Sequence, residues 1–204
     1  MIRSNFDQGS EAWHDARLGR ITGTRFAPLM MGETTQGYNS LIAEVAAEIL
    51  TKESDSNFVS DMMKRGTDME AEARSHAEQL LGDIEETGFM IPDEGHVFHD
   101  YVGISPDGIV TSENVFIEIK CPMLKTHFGY IRTDDPSEYR WQLQGGLWIS
   151  GNPHTWFYSY YPNVTPYLLK VLPNEKDFKM IDARLPIFIE QVSELIEKYE
   201  KMEL

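Results

Sequence analysis

The chain has 204 residues, 41% of them apolar and 25% charged, which suits one soluble globular domain with its own hydrophobic core. Its apolar runs fall well short of the ~20 residues of a membrane span, and its first residues, MIRSNFDQGSEAWHD, contain no signal-peptide stretch. The net charge of −15 argues, taken alone, against a nucleic-acid partner, because phosphate binding normally leaves a basic footprint.

From the N-terminus, Trp13 to Leu18 reads as a short helix. From Tyr38 onward, Tyr38, Leu41, Ile42, Val45 and Ile49 recur at helical spacing. A third helix is expected from about Thr67 to Leu81, with Met69, Ala73, Ala77 and Leu80 as its buried stripe. The pattern then changes to segments rich in β-branched and aromatic residues. GFMIP, HVFHDYVGI and VFIEIKCP read as strands, with TSEN as the turn between the last two. A helix from about Ser137 to Ile149 follows, then strands in TWFYSYY and YLLKVLP. Ile181, Leu185, Phe188, Val192, Leu195, Tyr199 and Met202 predict a final amphipathic helix of roughly five to six turns, with Pro186 kinking it or breaking it near its start. No repeat or linker divides the chain. The order of elements predicts a single α/β domain over residues 1–204, a central mixed sheet flanked by helices.

The charge is unevenly spread. Residues 67–100 hold ten Asp/Glu against one Arg, whereas the first thirty hold four Arg against three acids. A locally basic entrance on an acidic body is therefore compatible with DNA, and carboxylates are also what hard cations bind.

The chemistry-bearing pattern is SPDG at Ser105–Gly108, followed after a turn by Glu118-Ile119-Lys120. Alternate residues of a strand share a face, so Glu118 and Lys120 project together while Ile117 and Ile119 point into the core. Asp107, read as ending the preceding strand of a hairpin, comes beside Glu118. Two such carboxylates suit Mg²⁺ or Mn²⁺, and a neighbouring lysine can orient or deprotonate a water. A surface Glu–Lys pair on an exposed strand has the same spacing. The flanking isoleucines instead favour an interior strand, where buried charges need partners.

These residues resemble the PD-(D/E)xK nuclease superfamily. With AWHDARLG…IT, RGTDMEAEAR, GISPDG, EIKCP and YRWQLQGGLW in order, the chain is similar to the phage lambda exonuclease family over roughly residues 12–160. The resemblance implies the PD-(D/E)xK fold and Mg²⁺-dependent 5′-to-3′ digestion of double-stranded DNA ends, with Mn²⁺ able to substitute. It implies mononucleotide products, 3′ overhangs for a single-strand annealing protein in phage recombination, and a ring-shaped homotrimer. Carried over, the metal ligands are Asp107, Glu118 and the backbone carbonyl of Ile119. Lys120 is the catalytic lysine and Glu70 the assisting helical glutamate. Arg17, Thr24, Ser105 and Gln142 hold the 5′ phosphate, with threonine at 24 where the family has serine. Trp13 is a candidate strand-separating wedge, and equally a core anchor. For Glu70 the plain alternative is an i,i+4 pair with Arg74; for Arg17 and Gln142 it is a solvated helix face. Residues 28–38 hold no Arg or Lys where the family has a longer basic loop, so no rudder-like DNA contact is expected from that segment.

Other sites do not fit. GISPDG lacks nucleophile-elbow spacing, no phosphate-binding P-loop occurs, and the six His are dispersed. Cys121 reads as a small buried residue at a strand end. With no leader and one cysteine, a cytoplasmic setting is expected. The rival readings are an endonuclease of the same superfamily, a DNA-end-binding module without chemistry, and a metal-binding structural domain.

Overall fold

The structure, a computed structural model, describes residues 1–4, 6–54 and 61–202, and within 61–67 only Arg65 and Gly66 are described beyond the backbone. In chain order the elements are β1 (Ile2–Arg3), α1 (Glu11–Arg17), a 3₁₀ turn (Gly23–Arg25) leading into α2 (Phe26–Leu29), α3 (Gln36–Thr51) and α4 (Asp61–Leu81). Then come β2 (Ile84–Glu85), β3 (Met90–Ile91), β4 (Gly108–Val110), β5 (Val115–Lys120) and α5 (Leu124–Thr133). A 3₁₀ turn (Ser137–Tyr139), α6 (Arg140–Ser150), β6 (Thr155–Ser159), β7 (Tyr167–Val171) and α7 (Glu175–Glu200) complete the chain. The central sheet has the order β2-β4-β5-β6-β7. Only β5 and β6 run parallel, and the other neighbours are antiparallel. The expected mixed sheet between helices is therefore present.

Alternation along β5 divides two cores. Val115, Ile117 and Ile119 pack beneath α4 with Ala73, Ala77, Ile84, Val110 and Tyr158. Phe116 faces the other way, into the larger core built from α2, α3, α6 and α7 around Phe26, Tyr38, Leu147, Leu185 and Phe188. Each such side chain contributes about 1.5–3 kcal/mol by leaving water. Glu118 and Lys120 follow Phe116 in the two-residue period, so the strand sends its polar pair toward α6.

Several expectations are corrected. HVFHDYVGI is not a strand. His96, His99 and Tyr101 donate their amides three residues back, to Asp93, His96 and Phe98, which makes successive turns. Only Val102 and Ile104 form isolated bridges, to Ile21 and Met90. The strand before β5 is Gly108–Val110, so Asp107 precedes a strand instead of ending one. The TSEN turn stands as expected: Asn114, at φ 53°, takes the left-handed conformation asparagine tolerates and donates to the Val110 carbonyl at 2.8 Å. α4 begins at Asp61, earlier than its apolar stripe suggested, and Leu80 is exposed while Leu81 packs inward. α7 spans 26 residues and runs unbroken through Pro186. Pro186 is on the exposed side, where water can satisfy the carbonyl its ring leaves without a helical donor. No helix among the described residues is long and apolar enough to cross a membrane.

The two glycines of QLQGGLW are explained by contact. A Cβ on Gly145 would stand 2.5 Å from the Phe26 ring, and one on Gly146 2.6 Å from the Phe116 ring. Both rings are buried and cannot retreat. Gly145→Ala should gain about 1 kcal/mol of helix propensity and lose about 2–3 kcal/mol to overpacking. A net destabilisation of about 1–2 kcal/mol is expected, read as a lower urea midpoint at unchanged slope.

Candidate active site

The β4–β5 hairpin builds the centre of the site. Gly108 pairs with Ile117, so Asp107 falls opposite Glu118 at the open end of the hairpin. The Asp107 carboxylate extends the ladder by accepting the Ile119 amide at 2.6 Å. Glu118 is 4% exposed, and its Oε1 accepts from both Lys120 Nζ and Gln142 Nε2. Lys120 Nζ also lies 3.9 Å from Asp107 Oδ2. Burial, and next the Asp107 charge, push the Glu118 carboxyl up to about 7. Burial alone would depress Lys120, but Glu118 and Asp107 outweigh it and hold the lysine as an ammonium.

α4 supplies the third carboxylate. Glu70 lines the same cleft, and burial followed by Asp107 raises its pKa. Its i,i+4 pair with Arg74, at 2.6 Å, is present as well and leaves Glu70 on the cleft wall. Arg74 is the reason: its Nε donates to the Asp107 carbonyl at 3.2 Å while its other nitrogens reach Glu70 and Glu86. One guanidinium thus ties the helix to the SPDG segment.

A second cluster lies beside the first. Arg17 Nη1 donates to Ser105 Oγ at 2.9 Å, and its guanidinium lies 4.0 Å from the centroid of the Trp13 ring. Trp13 Nε1 donates to the same hydroxyl at 3.0 Å and to the Gly88 carbonyl at 3.3 Å. Trp13 is half-buried and belongs to no core cluster among the described residues, so it serves as a platform for Arg17 and not as a core anchor. Burial, then the nearby Arg25, push Arg17 down to about 10, still protonated at neutral pH.

The structure brings Trp13, Arg17 and Ser105 into direct contact and places Thr24 and Gln142 on the wall of the carboxylate cleft. Gln142 hydrogen-bonds Glu118 instead of the arginine and packs against Gly23, so it stands between the two clusters. The cleft has a volume of about 460 Å³ and includes Asp107, Lys120, Cys121 and Tyr139. Cys121 is half-buried on that wall, more open than expected, and burial pushes its thiol up to about 11. At neutral pH it is a protonated, unreactive thiol.

Sequence reasoning missed two supports. Glu48, buried on α3, accepts from the Gly19 amide at 2.9 Å and from Arg25, fixing the segment between Arg17 and Thr24. The signal was available: Leu41, Val45 and Glu48 share one helical stripe, and a carboxylate there needs a partner. Thr22 is buried, 3.5 Å from Arg17 Nη2.

As a cation site, the donors the resemblance implies are two carboxylates, Asp107 and Glu118, and the Ile119 backbone carbonyl. No set of three or more His, Cys, Asp or Glu side chains with metal-holding geometry occurs among the described residues. All three proposed donors are oxygens, and a cation that keeps several waters, as Mg²⁺ does, needs only a few protein ligands. The residues fit such an ion.

Residues 12–153 match the YqaJ-like viral recombinase domain. The chain belongs to that family. This YqaJ-like domain superposes on the alkaline exonuclease LHK-Exo from Laribacter hongkongensis with a TM-score of 0.82 at 27% identity, covering 94% of this chain and 97% of that one. LHK-Exo in complex with dAMP gives a TM-score of 0.83 at the same identity and coverage. A phage-related exonuclease from Haemophilus somnus 129PT shares the fold at a TM-score of 0.69 and 12% identity, over 88% of this chain and 96% of that one. No curated protein matches by sequence. The YqaJ-like chain therefore has the PD-(D/E)xK fold of the alkaline exonucleases, as its motifs imply.

Proposed function

We propose that this protein is a metal-dependent exonuclease that digests one strand of double-stranded DNA from its 5′ end. It releases mononucleotides and leaves 3′ overhangs for phage-type recombination. One observation carries the reading: Asp107, Glu118 and Lys120 converge in a cleft beside an arginine already held on a serine hydroxyl. Family membership and the LHK-Exo likeness support a nuclease of the recombination type, and dAMP bound to that relative accords with mononucleotide release.

In this reading Asp107, Glu118 and the Ile119 carbonyl hold Mg²⁺, which Mn²⁺ can replace, and the ion supplies charge stabilisation and an acidified water. Lys120 would orient the attacking water by donating from its ammonium, and Glu70 would assist from the helix. Gln142 fixes the Glu118 carboxylate through its amide. Arg17, Thr24, Ser105 and Gln142 receive the terminal 5′ phosphate, and Trp13, which supports Arg17 from beneath, is the candidate strand-separating wedge. The 28–38 segment holds no basic residue, so DNA grip falls to other parts of the molecule.

Linear duplex labelled at one end, bearing a 5′ phosphate or a 5′ hydroxyl, separates the alternatives. Stepwise loss of the phosphorylated strand in Mg²⁺, absent in EDTA, is the expected outcome. Cutting of a closed circular duplex would instead show an endonuclease, and binding without degradation an accessory module.

A chain of charge −15 does not hold a polyanion by attraction alone, which favours topological capture in a homotrimeric ring. Light scattering should give about three times 23.4 kDa. Digestion begun before excess unlabelled duplex is added should continue. A monomer whose digestion stops at once would be a distributive enzyme. A single-strand annealing protein is the proposed partner for the overhang.

A further inference from the structure

We infer that Tyr139 is a positioning residue for Lys120, its aromatic face seating the ammonium above the cleft. The inference rests on the proposed catalytic role of Lys120.

Lys120 Nζ stands 5.3 Å from the centroid of the Tyr139 ring, within the range where a cation is drawn to a π face. Tyr139 lines the same cleft as Lys120, Asp107 and Gln142. Its ring is backed by other aromatics, with Phe157 at 5.5 Å and Tyr130 at 6.4 Å between centroids. Phe157 is fully buried, and the Tyr130 hydroxyl is tied to Glu138, so the wall behind the ring is fixed. The local chain explains the placement. Tyr139 closes the 3₁₀ turn that leads directly into α6, and Gln142 follows three residues later. That short segment addresses both members of the Glu118–Lys120 pair: the Gln142 amide meets the carboxylate and the Tyr139 ring meets the ammonium.

The ring matters because Lys120 and a bound cation compete for the same oxygens. The ammonium donates to Glu118 and lies 3.9 Å from Asp107, the two carboxylates assigned to the metal. A lysine held by those carboxylates alone has no fixed seat once their lone pairs are otherwise engaged. A neutral aromatic face attracts the ammonium without competing for the cation's site, and keeps the side chain at the edge of the cleft where the attacking water must be.

The test compares Tyr139→Leu and Tyr139→Phe on 5′-phosphorylated linear duplex. Tyr139→Leu should lower kcat roughly tenfold while KM stays within about twofold of wild type. Tyr139→Phe, which restores the ring without the hydroxyl, should recover most of that loss. Binding of the same duplex end in EDTA should be equal for wild type and both variants, and equal thermal midpoints would show that the fold is unaffected. An unchanged kcat in Tyr139→Leu overturns the inference. So does a Phe variant as slow as the Leu variant, which would assign the role to the hydroxyl. Raised KM at unchanged kcat, or weaker end binding in EDTA, also overturns it, by placing Tyr139 on DNA. Lys120→Ala in the same assay keeps the two readings apart. If that variant digests normally, the catalytic reading of Lys120 fails, whereas an inactive Lys120→Ala beside a fully active Tyr139→Leu removes only the positioning role.

Discussion

Asp107→Ala, Glu118→Ala and Lys120→Ala should each reduce digestion of linear duplex to background while circular dichroism remains native. Losing a positioned proton-transfer or water-orienting group costs on the order of 10²–10⁴-fold, and loss of a metal ligand removes the ion's contribution as well. The three variants should differ in metal binding. Only two charged ligands are proposed, so each carboxylate change should weaken Mg²⁺ affinity measured by calorimetry. Lys120→Ala should retain the ion, because the lysine is not a ligand. A folded Lys120→Ala that digests at the normal rate would end the lysine's assignment. Carboxylate variants with unchanged Mg²⁺ affinity would do the same for the ligand set.

Arg17→Ala should slow digestion of 5′-phosphorylated ends by at least roughly tenfold, since charge-assisted phosphate contacts contribute on the order of 1.5–3 kcal/mol each. Digestion of 5′-hydroxyl ends should change much less, so the ratio between the two substrates is the informative quantity. Arg17→Lys keeps the charge but loses the planar fork that stacks on Trp13 while donating to Ser105, and should fall between wild type and alanine. If wild type already digests both ends equally fast, the phosphate pocket is misassigned whatever the variants do.

The hairpin that carries the site was legible because its signals are local. A two-residue period fixes which side chains share a face, and the TSEN turn fixes which strands are neighbours. That placed Glu118 and Lys120 together and brought Asp107 to them, although Asp107 stands before its strand and joins the ladder through its carboxylate. HVFHDYVGI misled because aromatic and β-branched residues there serve successive turns and two isolated bridges, which composition cannot distinguish from a strand. α5 went unseen: LKTHFGYIRT contains Gly129, two threonines and an apolar face left exposed at Leu124, Phe128 and Ile131. Pro186 was overweighted because its cost depends on whether the carbonyl it strands faces water, a property of packing. Arg74 and Glu48 bridge elements distant in sequence, and spacing alone gives no view of that.

Arg17 lies against Trp13 and on Ser105 before any DNA arrives. Immobilising a rotamer-rich side chain at an interface typically costs about 0.5–1.5 kcal/mol of conformational entropy. For this arginine the cost falls on folding instead of on association. Part of its desolvation is likewise complete in advance, as its depressed pKa reflects. In the proposed phosphate-binding role, a phosphorylated end would therefore meet a cation that needs no reordering, while a hydroxyl end would leave that cation partly dehydrated and without a phosphate. Discrimination between the two ends then comes from the charge an incorrect end fails to neutralise, with no steric gate required.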